Sequence, residues 1–312
     1  MKYLITGGAG FIGSNIVKEL LSKGESVNVL DNFSTGRRSN LFEFENNPNL
    51  QLIEGDLRSF HLVRQAVNGV DYILHQGALP SVPRSINDPI TSNDVNILGT
   101  LNILEAAKEF GVKRVVFASS SSVYGNNPTL PKDETLSVAP LSPYAVTKYS
   151  AERYCQVFYN IYGIETVALR YFNVFGPKQD PFSEYSAVIP KFIKLIIDDK
   201  EPVIYGDGSQ SRDFTYVENN INANLLACIS PNAAGEVFNI ACGARYTLND
   251  LVDGINKVLN KNIEPKYIET RAGDVKHSLA DISEAKSLLG YEVKTDFYKG
   301  LEKTIDFYLK TK

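Results

Sequence analysis

Short apolar runs alternate with longer stretches of helical periodicity through the first half of the chain. Residues 2–6, 26–31, 50–54, 72–75, 114–119 and 165–169 form compact β-rich runs. Between them, residues 12–23, 59–68, 90–110 and 143–162 read as amphipathic helices. Near-continuous apolar strands alternating with helices predict a parallel sheet covered on both faces. Gly24, Gly69, Gly111 and Gly163 fall where those helices should end, the place for left-handed caps. After Gly176-Pro177 the loops lengthen. Helices are predicted over 187–198, 248–260 and 283–289, and residues 214–217 and 237–240 are candidates to return to the main sheet.

Composition narrows the field. The chain has 312 residues, 43% hydrophobic and 22% charged, with a formal net charge of -4 and no basic block. Nucleic acid and membrane surfaces are therefore excluded as main partners. Cys155, Cys228 and Cys242 are far apart, and no Cys/His spacing suits a metal, so neither a disulfide framework nor a zinc site is expected. Met1-Lys2 runs directly into the first strand, no apolar run reaches membrane-spanning length, and a soluble, cytoplasmic protein is the expectation.

Gly7-Gly8-Ala9-Gly10-Phe11-Ile12-Gly13 follows the first strand and opens the first helix. Glycines at 7, 10 and 13 permit a tight turn, close approach of a pyrophosphate and close helix packing, with the helix N-terminus facing the phosphates. Asp31 ends the second strand at the separation expected of an acid that bonds a ribose 2′-hydroxyl. Its charge would repel a 2′-phosphate, which favours NAD over NADP, although Arg37 and Arg38 stand nearby. Asp31 is alternatively a cap for the turn that follows it. The expected fold is thus α/β. A Rossmann-type doubly wound parallel sheet covers residues 1–176, with returning segments near 214–241. A smaller, sequence-interleaved α/β substrate-binding domain takes 177–213 and 242–312.

Tyr144 and Lys148 are four apart in a predicted helix and so project from one face. An adjacent ammonium favours phenolate and lowers the phenol's pKa, which would yield a base usable at neutral pH. The same spacing recurs at Tyr308 and Lys312 without such surroundings.

Three motifs occur in order: the glycine loop, the serine-rich strand end Ser119-Ser120-Ser121-Ser122-Val123-Tyr124-Gly125, and Tyr144xxxLys148. With them stand Leu169-Arg170-Tyr171-Phe172-Asn173-Val174-Phe175-Gly176, Tyr205-Gly206-Asp207-Gly208, Ser211-Arg212-Asp213-Phe214 and Arg271-Ala272-Gly273-Asp274. Together they resemble the extended short-chain dehydrogenase/reductase family, in particular its nucleotide-sugar 4-epimerases, over nearly the whole chain. The resemblance implies that Tyr144 is the catalytic acid/base, Lys148 its activator and Ser120 the catalytic hydroxyl. For NAD it implies contacts from Gly7, Gly10, Phe11, Ile12, Gly13, Asp31, Asn32, Ser34, Thr35, Gly36, Asp56, Leu57, Gln76, Gly77, Ala78, Ser119, Tyr144, Lys148 and Tyr171. For a UDP-sugar it implies Ser122, Tyr144, Asn173, Val188, Tyr205, Arg212, Arg271, Asp274 and Ser278. Asn96 reads instead as a buried polar brace. The family also implies a homodimer built on the helices at 90–110 and 143–162.

In these epimerases a hydride leaves C4, the 4-keto sugar turns within the site, and the hydride returns to its other face. Dehydratases of the family carry an Asp-Glu pair where this chain has Ser121-Ser122, which argues against dehydration. A UDP-hexuronic acid 4-epimerase or decarboxylase shares the first step, and an idle NAD-binding sensor is the alternative from another class. By likeness, position 278 lines the sugar pocket. A large pocket admits a 2-acetamido group and still accepts glucose, so Ser278 points to UDP-GlcNAc/UDP-GalNAc with UDP-glucose/UDP-galactose also turned over. Arg84 lies near a substrate carboxylate or N-acetyl group, or pairs with Asp88.

Overall fold

The computed structural model describes residues 1–182, 187–270 and 276–311. Strands β1 (Lys2–Thr6), β2 (Ser26–Asp31), β3 (Leu50–Glu54), β4 (Tyr72–His75), β5 (Arg114–Ser120) and β6 (Thr166–Tyr171) follow the apolar runs closely. Helices α1 (Phe11–Ser22), α2 (Phe60–Val67), α3 (Val82–Asn87), α4 (Pro89–Asn93), α5 (Gly99–Phe110) and α6 (Pro143–Tyr162) connect them. The second part contains β7 (Val174–Phe175), α7 (Val188–Ile197), β8 (Val203–Tyr205), β9 (Ser211–Arg212), β10 (Thr215–Tyr216) and α8 (Val217–Ile229). It continues through β11 (Val237–Ile240), β12 (Tyr246–Thr247), α9 (Leu248–Leu259), β13 (Lys266–Ile268) and α10 (Phe297–Lys310).

The main sheet has seven strands in the order β11-β6-β5-β4-β1-β2-β3, all parallel. The winding reverses between β1 and β4, and α/β sheets bind their ligands outside the strand ends at such a point. Two apolar layers cover the faces, one including Ile16, Leu20 and Phe238, the other Leu104, Phe117 and Phe158. A third cluster, including Phe192, Phe214, Phe297 and Leu301, builds the smaller lobe. Its continuity with the first layer runs through Ile12, Val174 and Ile221.

Residues 237–240 join the main sheet beside β6 as expected. Residues 215–216 do not. They pair in parallel with Val174–Phe175 in a separate two-stranded sheet, because β11 already occupies the edge next to β6. The long helix expected over 90–110 is also interrupted. A wider π-helical turn at Asp94–Leu98 divides it, and there the buried Asn96 bonds Leu79 N (2.7 Å), Leu79 O (3.2 Å) and Thr147 Oγ1 (3.0 Å). Such turns occur where a helix carries an inserted polar contact near a functional site. Asn96 is the brace the sequence suggested, but it ties α6 to the loop after β4.

Helix α6 carries the candidate acid/base pair, and its ends are defined locally. Ser142 accepts the N–H of Ala145, Pro143 occupies the first turn, and Gly163 closes the helix at φ 70°. Gly24, Gly69 and Gly111 take positive φ as well.

Candidate active site

A cleft of about 560 Å³ lies over the carboxyl ends of the strands. Its floor is the glycine loop. Gly7 sits at φ +66°, and a Cβ there would lie 2.8 Å from Gly77 Cα, so the loops after β1 and β4 touch backbone to backbone. A Cβ on Gly13 would lie 2.2 Å from Gly7 O, which only hydrogen permits. At Gly10 a Cβ would meet only Gly7 O, at 3.1 Å, and would otherwise extend into open space. No side chain caps the N-terminus of α1. Its N–H groups and the bare Gly10 make a cradle of the size and polarity a pyrophosphate needs, so the residues present fit a dinucleotide.

Asp31 fixes this cradle. One carboxylate oxygen accepts Ala9 N (2.9 Å) and the other Phe33 N (2.8 Å). Burial raises its pKa while those two N–H groups oppose the rise. It is therefore both the turn cap and a wall of the cleft. Arg37 pairs with Asp180, and Arg38 pairs with Glu54 while stacking 4.0 Å from the Phe33 ring centroid. Both guanidinium groups are thus engaged by carboxylates, which leaves a 2′-phosphate poorly served and supports NAD. Asp56 is held down to about 2, first by its hydrogen bond from Arg58, and also accepts Asn32 Nδ2 at 2.9 Å.

The structure brings together in this cleft Gly7, Gly10, Phe11, Ile12, Gly13, Asp31, Asn32, Ser34, Thr35, Asp56, Leu57, Gln76, Gly77, Ala78, Ser119, Tyr144, Lys148 and Tyr171. Gly36 stands behind the wall, where a Cβ would come within 3.0 Å of Asp31 Oδ2. Tyr171 OH accepts Asn224 Nδ2 (2.6 Å) and donates to Gln76 Oε1 (3.2 Å), which fixes both groups at the cleft floor.

At the far end stand Tyr144, Lys148 and Ser120. Lys148 Nζ lies 6.0 Å from the Tyr144 ring centroid and donates to Ala118 O at 2.7 Å. The expected lowering of the phenol by the ammonium is not found. Burial pushes Tyr144 up to about 12, a hydrogen bond with Ser120 pulling it partly back, and burial pushes Lys148 down to about 8. Each group loses water around its charged form, and at this separation their attraction does not overcome that loss. Ser120 Oγ accepts Ser122 N (3.2 Å) and Ser122 Oγ (2.9 Å), which leaves its own proton to be directed at the phenol.

A buried charge network under this end was missed in the sequence. Glu152 lies one turn beyond Lys148, and its carboxylate takes Ser119 Oγ (2.6 Å), Arg170 Nε (3.0 Å) and the Arg170 guanidinium again at 2.7 Å. Arg170 also donates to Tyr124 OH (2.8 Å), which donates in turn to Asn239 Oδ1 (2.7 Å). The signal was present, since 144, 148 and 152 share a helical face. Ser119 therefore borders the cleft with its hydroxyl already engaged.

A second cleft of about 360 Å³ adjoins the first, Ala187 lining both. Asn173, Val188, Tyr205 and Arg212 line it, over an apolar floor that includes Phe175 and Phe214. Lys191 and Gln210, which the sequence reading passed over, line it too. Ser122 stays beside Ser120. Ser278 lies on a segment alongside the strand of Arg212, its N–H on Ser211 O at 3.0 Å, and is not among the residues lining either cleft. Arg84 lines the first cleft at its Tyr144 end. Arg271 and Asp274 lie outside the described residues. No helix among the described residues is long and apolar enough to cross a membrane.

Comparison with known proteins agrees with this geometry. The chain is similar to a UDP-N-acetylglucosamine 4-epimerase from Methanobrevibacter ruminantium M1, solved in complex with UDP-N-acetylmuramic acid. Identity is 43% and the TM-score 0.95, over 100% of this chain and 99% of that one. It is similar to a UDP-glucose 4-epimerase from Thermotoga maritima solved with UDP-glucose, at 37% identity and TM-score 0.94, again over 100% and 99%. A UDP-glucuronate 4-epimerase from Thermodesulfobacterium geofontis is 35% identical over 98% of this chain and 95% of its own length. The model of the NAD dependent epimerase/dehydratase family matches residues 3–241. With a Rossmann-type sheet, a glycine cradle at its switch point and NAD as cofactor, this enzyme belongs to the NAD-dependent epimerase/dehydratase family.

Proposed function

We infer that this enzyme is a UDP-sugar 4-epimerase, and propose that it interconverts UDP-GlcNAc and UDP-GalNAc and also turns over UDP-glucose and UDP-galactose. One observation carries the reading: a dinucleotide cleft ending on Tyr144 and Lys148 adjoins a second cleft in which Arg212 and Asn173 lie over an apolar floor. A guanidinium suits a diphosphate, and apolar walls suit a base. NAD, when bound, supplies the hydride acceptor, the returning hydride and a positive charge in the same cleft.

Tyr144 accepts the O4 proton of the sugar and later returns it. Its high pKa in the free site makes it a strong base once ionised, and Ser120 stabilises the phenolate by donating to it. Lys148, held on Ala118 O, keeps a proton on the same helix face. The substituents at 121 and 122 are hydroxyls, so no carboxyl pair stands there to drive loss of water. The acetamido reading rests on the family resemblance at Ser278, which lines neither cleft, and a small side chain there goes with permissiveness rather than exclusivity.

The purified protein, without added cofactor, is to be given UDP-GlcNAc, UDP-glucose and UDP-glucuronate, and the products separated. Inversion at C4 without net NADH is the expected result. UDP-xylose would make it a decarboxylase, and no product from any substrate would return it to an NAD-binding sensor. Ser278→Tyr should abolish turnover of acetylated sugars and spare UDP-glucose; equal loss on both refutes the pocket argument. We also propose a homodimer in which α4 to α6 face their copies, because Ile90 and Ile161 stand 74% and 68% exposed on those helices.

A further inference from the structure

Asp213 lies at the crossing of the segments that build the second cleft. Its side chain is fully buried, and among the described residues its partners are backbone N–H groups rather than cations. One oxygen accepts Cys242 N at 2.9 Å. The other accepts Gly243 N at 3.0 Å and Ala280 N at 3.3 Å. Its carbonyl accepts Asn173 Nδ2 at 3.2 Å. The 276–280 segment held in this way runs parallel alongside β9: Ser211 N donates to Lys276 O (3.0 Å) and Ser278 N to Ser211 O (3.0 Å). Arg212, on the neighbouring residue, aims one guanidinium nitrogen at Ser211 O (3.0 Å) and Lys276 O (3.2 Å). The direction of that guanidinium is thus set by a segment whose anchor is the Asp213 carboxylate.

We propose that Asp213 is the positioning residue of the nucleotide-sugar cleft, its buried carboxylate holding the 276–280 segment and the 242–243 turn in the register that presents Arg212 and Asn173 to the substrate. This rests on the UDP-sugar reading and adds to it a residue that touches neither sugar nor cofactor. A carboxylate is needed because every partner is a donor. An amide or a protonated acid turns one acceptor into a donor facing an N–H and loses at least one bond.

Acid should therefore imitate the amide variant. Burial pushes Asp213 up to about 6 against the opposing backbone N–H groups. Its carboxylate is mostly ionised at pH 7.5 and mostly protonated at pH 5. The groups around it are the Cys242 thiol and the Tyr246 and Tyr291 phenols, all raised by burial, with Arg212 alongside. None of these titrates in that window. His277 stands beside this segment's contact with β9, its Nδ1 2.9 Å from Ser211 Oγ and its pKa lowered from 6.5 by burial and by Arg245, Lys276 and Arg212. It is the control. UDP-glucose is the probe, since its diphosphate diester keeps its charge throughout.

The test measures KM and kcat of the NAD-loaded enzyme for UDP-glucose from pH 7.5 to 5, with UDP-glucose binding by calorimetry at each pH. In D213N, KM at pH 7.5 should rise on the order of tenfold, the scale of one lost charge-assisted bond, with kcat within about twofold, and its KM should not respond further to acid. Wild-type KM and dissociation constant should climb toward those of D213N, and H277Q should keep that climb. Should D213N fail to fold, the wild-type and H277Q series still decide. Wild-type binding that is flat with pH overturns the proposal, as does a pH dependence lost in H277Q and retained in D213N. No binding of UDP-glucose at any pH overturns the UDP-sugar reading, and this inference with it.

Discussion

Replacing Glu152 by Gln tests whether the charge network beneath the active site behaves as one unit. Glu152 and Arg170 are almost wholly buried and form an ion pair at 2.7 Å. Removing one partner leaves a buried, uncompensated charge, which costs about 3–5 kcal/mol. With unfolding entropy of ~2.1 cal/mol/K per residue over 312 residues, that lowers the apparent melting temperature by about 5–8 °C. Arg170→Met should cost a similar amount, leaving Glu152 charged and alone. The double variant Glu152→Gln with Arg170→Met removes both charges and keeps an acceptor for Ser119. It should be more stable than the sum of the two losses by about 2 kcal/mol, within the range of coupling between contacting residues. Denaturant melts of the four proteins complete the cycle. Additivity within about 0.5 kcal/mol would show that the two residues do not act as a pair, and the account of the network would fall.

Tyr144→Phe should lower kcat by about 10²–10⁴-fold, the usual worth of a positioned acid/base, while the purified variant still carries NAD; undiminished turnover refutes the assignment. Gly13→Ala places a Cβ 2.2 Å from the Gly7 carbonyl oxygen, so the loop must move, and the variant should purify without NAD. Bound NAD at the wild-type level would show that the cradle tolerates the shift. Val157→Glu puts a charge on an exposed apolar position of α6 and should convert a dimer to a monomer in light scattering; an unchanged mass would place the interface elsewhere.

Much of the main sheet was legible in the sequence because local signals agree there. Apolar runs of strand length, helical periodicity between them and glycines at the helix ends all report the same alternation, and β1 to β4 begin and end where the runs do. Gly7, Gly10 and Gly13 were legible for a similar reason: the need for a bare backbone falls on three nearby residues. The pairing of residues 215–216 was not legible, because two short strands of similar composition competed for one sheet edge and only the packing of the whole chain decides between them. Nor was the turn at Asp94–Leu98, within which Asn96 bonds Thr147 of α6, 51 positions away.

Tyr144 and Lys148 show the division most clearly. That they share a helical face follows from their spacing, and from Ser142, Pro143 and Gly163, which set the helix ends. Which way each pKa moves does not. The sequence places a cation near a phenol, but the direction of the shift depends on how much water each loses and on where the ammonium points. Ala118 O, brought in by β5, draws Lys148 away from the phenol, and burial of both groups supplies the rest. Glu152 and Asp213 belong to the same class. Their residue types were visible, but a buried carboxylate acquires its role from donors that the chain assembles only when it is folded.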